Sequence, residues 1–387
     1  MKQRLIPLIL LLVTSYLLAG RQARLLVTDS FAQSTEYIRV AILQDERSIS
    51  LKIKGAYEIT DMDGREILSA GRNLRSTVTT YKEGILIAGK IFKTDKVLIK
   101  INDPDVIIIN GRTFRGNIQF IKNNSARLTV INYIELEDYI KGILYHETSH
   151  YWPMEALKAQ AIVCRTYALN ACIENKSKDY DATSDIYSQV YGGRTSERFR
   201  TNNAVQETRG LVLTYKDKVF SAYYHATCGG HTEDASLLWD IDIVPLKGVP
   251  CGFCKDSPHF NWHYVLSIKE LEEKLKEAGI KALKINDVIV LGRDKSGRVT
   301  DLKVACGAKD IIISAKDLRS AIGPNIIRST NFTLRIEKQD VVFEGFGWGH
   351  GVGLCQWGAY FMAKAGHNYK KILEYYYPQT NVKTTRF

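Results

Sequence analysis

A single acid between two helical stretches, an arginine beside an apolar helical face and several closely spaced cysteines and histidines are the side chains here that could run a reaction or hold an ion. Glu147 lies in Tyr145-His146-Glu147-Thr148-Ser149-His150-Tyr151-Trp152. Aromatic and apolar neighbours remove hydration from its ionised form, so its pKa is expected to rise, as a general acid needs near neutral pH. A Glu at a helix end is more often a solvated surface residue. Arg165 falls beside the apolar stripe of the next helix, where an unpaired guanidinium is costly. It either reaches an anion, of which Glu147 is the nearest suggestive one, or snorkels to the surface.

His146-Glu147-Thr148-Ser149-His150 also matches the His-Glu-x-x-His pattern of zinc peptidases, which requires one helix to run through both histidines. Thr148, Ser149 and Pro153 predict that the helix stops here, so this is the lesser alternative. The seven cysteines, at 164, 172, 228, 251, 254, 306 and 355, are an odd number and cannot all pair within one chain. Cys164 and Cys172 fall on the apolar helix and read as small core residues. His225-x-x-Cys228 and Cys251-x-x-Cys254 each have the spacer that lets a tight turn aim two ligands at one ion. Together they offer one His and three Cys to tetrahedral zinc, with His231 and His259 as nearby substitutes. A disulfide, Cys251 to Cys254 or Cys228 to Cys251, is the competing reading for an exported chain. Cys355 and His350 could form a thiol and its base, but a structural or substrate-lining role suits a glycine-rich loop better.

The elements that must hold these groups follow from periodicity. Short β-type runs at 38–43, 48–53, 97–101 and 106–109, with breaks at Asp63-Gly64 and Asn110-Gly111, predict antiparallel strands over a β-rich region, 37–133. Apolar residues at 139, 140, 143 and 144 predict a helix that ends near Glu147. After Pro153, the stripe Met154, Leu157, Ala161, Cys164 and Ala168 predicts a buried helix of about 20 residues. Further helices are expected at 268–278, 357–365 and 369–376, and strands at 287–291, 299–304 and 311–314. The fold class is α+β: a β-rich N-terminal region, then a mixed helix and strand catalytic domain over 134–387 with a strand-rich segment at about 263–340. Six glycines in Gly345–Ala359 predict backbone conformations open only to Gly, or close approach to another group.

With 45% apolar and 25% charged residues in 387, a disordered or collagen-like chain is excluded. The net charge of +11 suits a polyanionic neighbour: a cell-wall polymer, an anionic membrane surface or nucleic acid. Residues 1–20, basic and then apolar from Leu5, read as a signal peptide or signal anchor. Arg21 stands where a lipidated Cys would have to be, which excludes a lipoprotein.

Taken in order, several runs carry a family resemblance. They are Leu136-Glu137-Asp138-Tyr139-Ile140-Lys141-Gly142-Ile143, Glu147, Trp152 through Ala168, Ser188-Gln189-Val190-Tyr191-Gly192-Gly193, His225 through Thr232, Ser296-Gly297-Arg298-Val299 and Gly347 through Gly353. The chain resembles the stage II sporulation protein D and amidase-enhancer family from about residue 37 to its end. The resemblance implies a peptidoglycan lytic transglycosylase that cleaves glycan strands to 1,6-anhydromuramyl ends with a single Glu acid/base. In the sporulation members the strands have already lost their stem peptides. That Glu matches Glu147, and Arg165 matches a position needed for activity. Gln189, His350 and Gln356 would line the glycan groove. His225 matches a zinc ligand of some members, so zinc on His225, Cys228, Cys251 and Cys254 would be structural. The implied partners are peptidoglycan glycan strands and a cell-wall amidase or other envelope proteins, with no nucleic acid. The implied location is the cell envelope, by export, anchoring or secretion. The amidase enhancers, which bind peptidoglycan and stimulate a separate amidase, give the non-catalytic alternative. Two departures stand out: Thr148 and Ser149 replace a common Met and Pro, and Cys355 replaces a usual Ser.

Overall fold

The computed structural model describes residues 37–385 apart from 62–65, 103, 186–187 and 308. The expected export segment and the Asp63-Gly64 break lie outside the described residues. The fold is α+β, with strands dominating the N-terminal part. The chain forms two compact units that do not follow chain order. One holds the residues up to 143, 171–196 and the last few; the other holds 144–170 and 197–383.

The first unit is an eleven-stranded sheet built from β1 (Tyr37–Glu46), β2 (Ser48–Thr60), β3 (Ile67–Tyr81), β4 (Gly84–Ile87), β5 (Lys90–Phe92), β6 (Lys96–Lys100), β7 (Val106–Ile109), β8 (Arg112–Phe114), β9 (Asn117–Lys122), β10 (Leu128–Glu135) and β11 (Ala182–Thr183). Its main order is β11-β1-β10-β9-β6-β2-β3-β4-β5, with β7 pairing β2 and β8. Nearly all pairs are antiparallel, and alternate residues such as Ile49, Leu51 and Ile53 point into the core, the period of two that the sequence shows. Asn110 and Gly111 both have positive φ and close the β7–β8 hairpin as predicted. β11 joins by a parallel pairing with β1, which Asp181 reinforces by accepting hydrogen bonds from the main chain and guanidinium of Arg39.

Two helices connect the units along the chain, α1 (Leu136–Glu147) and α2 (Met154–Glu174). α1 ends where expected. Thr148 donates both its N–H and its hydroxyl to the Leu144 carbonyl, and Pro153 bars continuation. α2 differs from its predicted single stripe, because it is buried on most of its circumference from Ala156 to Asn170. Its polar side chains are therefore inside and must be answered. Thr166 donates to the Ile162 carbonyl (2.7 Å) and accepts from the N–H of Leu213 (2.8 Å).

The second unit continues with α3 (Phe199–Glu207), β12 (Leu211–Thr214), β13 (Tyr224–His225), β14 (Asn261–Ser267), α4 (Ile268–Glu277), β15 (Ile285–Val290), β16 (Asp301–Cys306), β17 (Ile311–Ser314), α5 (Ala315–Ile322), β18 (Phe332–Glu337), β19 (Asp340–Phe346), β20 (Leu354–Cys355), α6 (Gln356–Lys364), α7 (Tyr369–Tyr376) and β21 (Asn381–Thr384). The strand-rich segment has its own core, running from Trp262 to Phe343, in which the sheets β14-β19-β18 and β15-β16-β17 carry α4 and α5. Ser267 and Ser314 cap those helices, Ser267 in a full capping box with Glu270. A second core gathers Ile162 and Val163 of α2, four cysteines, and the inner faces of α6 and α7.

Thr166→Val should leave the Leu213 N–H buried without an acceptor and cost about 1–3 kcal/mol. Urea unfolding of the full chain checks this, and an unchanged midpoint would show that the bond contributes nothing.

Candidate functional site

Glu147, at the C-terminal end of α1, is half-buried. Its main-chain carbonyl accepts a hydrogen bond from Gln356 Nε2 at 3.1 Å, and the same amide reaches Gln160 Oε1 of α2 at 3.5 Å. Gln160 in turn donates to the Cys164 thiol at 3.3 Å. Burial pushes that thiol up to about 12, the negative charge of Glu147 adds to the rise and the Arg165 guanidinium opposes it. Both charges therefore act on one buried, neutral thiol.

Arg165 is completely buried and does not snorkel. Its guanidinium donates to the Leu211 carbonyl at 2.9 Å and the Val205 carbonyl at 3.3 Å. Val205 lies near the C-terminus of α3, where carbonyls carry the negative end of the helix dipole. α3 also fixes the turn after the acid: Arg200 donates to the carbonyls of His150 and Trp152 (2.9 Å each), and the Arg198 guanidinium lies 4.3 Å from the Tyr145 ring centre. Sequence reasoning missed these two arginines, because α3 is mostly polar and shows no apolar stripe.

The turn held by Arg200 also disposes of the zinc-peptidase arrangement, since α1 stops at Glu147 and does not carry His150. His146 is exposed, and the His150 ring rests against Tyr145 and Tyr151.

Among the described residues, the group suited to a metal ion is Cys228, Cys251, Cys254 and Cys355, all buried, with sulfurs within 4.8 Å of one another. No disulfide joins any of the seven cysteines. Sulfurs at about 2.3 Å from a tetrahedral zinc ion would stand just under 4 Å apart, so the set fits such an ion. Hydrogen bonds from Cys228, Cys254 and Cys355 pull the Cys251 thiol well down, while hydrogen bonding to its neighbours pushes Cys228 up and burial pushes Cys355 up. Cys355 Sγ accepts from the N–H groups of Cys228 (3.3 Å) and Gly358 (3.4 Å). This corrects the expected set: Cys355 takes the fourth place, and His225 is not in the group. The cause is the parallel pairing of β13 with β20, which sets His225 opposite Cys355 and is invisible to local spacing.

His225 instead donates through Nδ1 to the Val352 carbonyl (3.1 Å), leaving Nε2 buried with no hydrogen-bond partner. Burial, with His350 and Arg298 nearby, holds it neutral. His350 accepts from the Val352 N–H at Nδ1 (3.0 Å) and bonds the Tyr224 main chain, and burial pushes its pKa down to about 3. It offers a ligand its ring rather than a free nitrogen. Beside it lies a cavity of about 150 Å³ lined by Trp239, Arg319 and Ser320. Leu238, Lys316 and Thr330 border both this cavity and a cleft of about 580 Å³ that reaches Glu233 and Asp294. Gln189 belongs to the first unit, is buried, and accepts a hydrogen bond from Tyr139 at 3.2 Å.

Glu233 is a buried acid that the sequence reading did not single out. Burial pushes it up to about 7 against the pull of Arg298, which lies 3.9 Å away. Its raised folded pKa means that the native state holds a proton the unfolded chain releases, so its contribution to stability is present below about pH 4.5 and lost as pH rises through 7. Glu233→Gln should flatten the melting temperature between pH 5 and 7 relative to wild type. Parallel pH profiles for the two proteins would refute the assignment.

Comparison with known proteins shows what the chain is similar to. Residues 124–215, which include Glu147, Arg165 and Gln189, match the family described as Stage II sporulation protein. Residues 251–353 match a domain of unknown function. An uncharacterized protein of Brachyspira hyodysenteriae is 34% identical over 342 residues, 88% of this chain and 91% of that protein. The Stage II sporulation protein D of Bacillus subtilis is 28% identical, covering 64% of this chain and 74% of its own length. The Amidase enhancer of the same organism is 28% identical over 63% of this chain but 40% of its own length.

Proposed function

Because the chain belongs to the stage II sporulation protein D and amidase-enhancer family, we propose that it acts on the cell wall as a peptidoglycan lytic transglycosylase with Glu147 as its acid and base. The observation that carries this reading is the setting of Glu147. It is half-buried at a helix end, its main chain is tied to Gln356, and the turn that follows it is held by Arg200.

The protonated Glu147 carboxyl donates to the bridging glycosidic oxygen as the bond from C1 to that oxygen breaks. The resulting carboxylate then takes the proton of the muramic acid C6 hydroxyl, whose oxygen closes onto C1 to give the anhydro end. Ordinary glycosidases need a second carboxylate for water or for a covalent intermediate, whereas here the sugar supplies the nucleophile and one acid suffices. Arg165 and Gln356 act as positioning residues, Arg165 by joining α2 to α3 and β12, and Gln356 by holding the Glu147 carbonyl. Cys228, Cys251, Cys254 and Cys355 would hold a zinc ion that cross-links their loops to the start of α6. With four thiolates it has no open position, so its role is structural.

The likeness to the Amidase enhancer supports a second reading, a wall-binding protein that stimulates a separate amidase without cutting glycan. Either reading puts the chain in the cell envelope. Among the described residues no helix is long and apolar enough to cross a membrane.

Incubated with glycan strands lacking stem peptides, wild type should generate anhydromuramyl ends visible by mass spectrometry. Glu147→Gln should reduce them about 10²–10⁴-fold. Binding without anhydro ends in wild type would favour the enhancer reading. For the metal, wild type should carry zinc at close to one ion per chain. Cys355→Ser should lower that content and change the thiolate charge-transfer spectrum of the cobalt form, whereas His225→Ala should do neither. Loss of metal in His225→Ala alone would restore the His-containing set.

A further inference from the structure

The second unit carries a run of half-buried aromatic rings that the mechanism above does not use. Trp152, in the turn after Glu147, meets Trp357 at 5.1 Å and Tyr360 at 5.2 Å between ring centres. Trp357 meets His259 at 6.2 Å, and His259 meets Trp348 at 4.9 Å. Trp357 packs against the second core, and each of these rings keeps part of its surface in water. A cation stands at either end, the Arg328 guanidinium 4.8 Å from the Trp348 ring centre and Lys364 Nζ 5.8 Å from that of Tyr360. Burial and the nearby Arg328 charge lower the pKa of His259, which keeps its ring neutral.

We infer that this strip is the track along which a glycan strand lies, each ring facing a pyranose and the flanking cations facing muramyl carboxylates. The inference rests on the glycan reading of the site and names how the substrate is held. Three observations support it. First, the partly exposed rings are contiguous, and a run of partly exposed aromatic surface is the kind of patch that marks a binding site. Second, the strip is continuous with the candidate acid, because Trp152 shares its turn and Trp357 follows Gln356, which holds the Glu147 carbonyl. Third, the charge is complementary: a strand without stem peptides bears a free carboxylate on every muramic acid, and the strip is flanked by positive groups and neutral rings. The Trp348 loop is held by its main chain, which exchanges hydrogen bonds with Thr227 (2.8 and 3.1 Å), so its position does not depend on what the ring contacts.

The test uses the full chain carrying Glu147→Gln, so that ligand is bound and not consumed. Binding of a muramic-acid-containing tetrasaccharide and of a chitin tetrasaccharide, which lacks carboxylates, is measured by calorimetry. Trp348→Ala and Trp357→Ala should each weaken both ligands about three- to tenfold, with Trp348→Phe intermediate. Arg328→Gln should weaken only the muramyl ligand. Unchanged affinity in Trp348→Ala, at an unchanged melting temperature, would overturn the track. Equal loss of both ligands in Arg328→Gln would overturn the role given to its charge. The two proposals fail separately: anhydro ends from wild type with unaltered binding in the tryptophan variants would reject the track alone. Weakened binding in those variants with no anhydro ends from wild type would reject the reaction alone.

Discussion

The second unit is organised around the burial of α2, a helix that takes Gln160, Arg165 and Thr166 inside with its apolar residues. A buried guanidinium without partners would cost more than most single interactions return, so each of these groups commits another segment of chain to a fixed place. Arg165 fixes the end of α3 and the start of β12, Thr166 fixes β12 through Leu213, and Gln160 meets Gln356 at the start of α6. Glu147 inherits its position from these bonds. Its carbonyl is held by Gln356, and the turn that follows it is held by Arg200.

A second constraint is the close approach of the glycine-rich loop to the segment around His225. Gly353 has φ +71°, and a Cβ there would lie 2.0 Å from the Tyr223 carbonyl oxygen. At Gly347, φ is +81° and a Cβ would meet the Thr227 carbonyl oxygen at 2.5 Å. Only glycine allows this contact. It delivers Cys355 to the other three cysteines and Trp348 to the aromatic strip. Cys355 also caps α6 through the Gly358 N–H, so the four-sulfur cluster sits one residue from the amide that holds Glu147.

Much of the scaffold could be read from the sequence. The ends of α1 and α2 follow from Thr148, Pro153 and the apolar spacing, and α6 and α7 lie within a residue of expectation. Strands β1, β2, β6 and β7 show their alternation openly, whereas β3, with polar and apolar residues mixed along Ile67–Tyr81 and few of them buried, does not. α3 escaped because Phe199–Glu207 buries only Thr201, Ala204 and Val205. The site divides in the same way. Glu147 and three of the four cysteines are marked by near neighbours in the chain, while Arg198, Arg200 and Glu233 carry no local mark.

The sequence by itself determined the helices that frame the acid, the place of Arg165 beside an apolar helical face and the close spacing of Cys251 and Cys254, because each is written in the spacing of consecutive residues. The tertiary structure alone decided that Cys355 rather than His225 joins the other three cysteines in one buried cluster, and that three of the five tryptophans lie along one chain of ring contacts. Cys228 and Cys355 lie 127 positions apart. What joins them is a strand pairing and a contact open only to glycine, and neither leaves a periodic trace in the intervening chain.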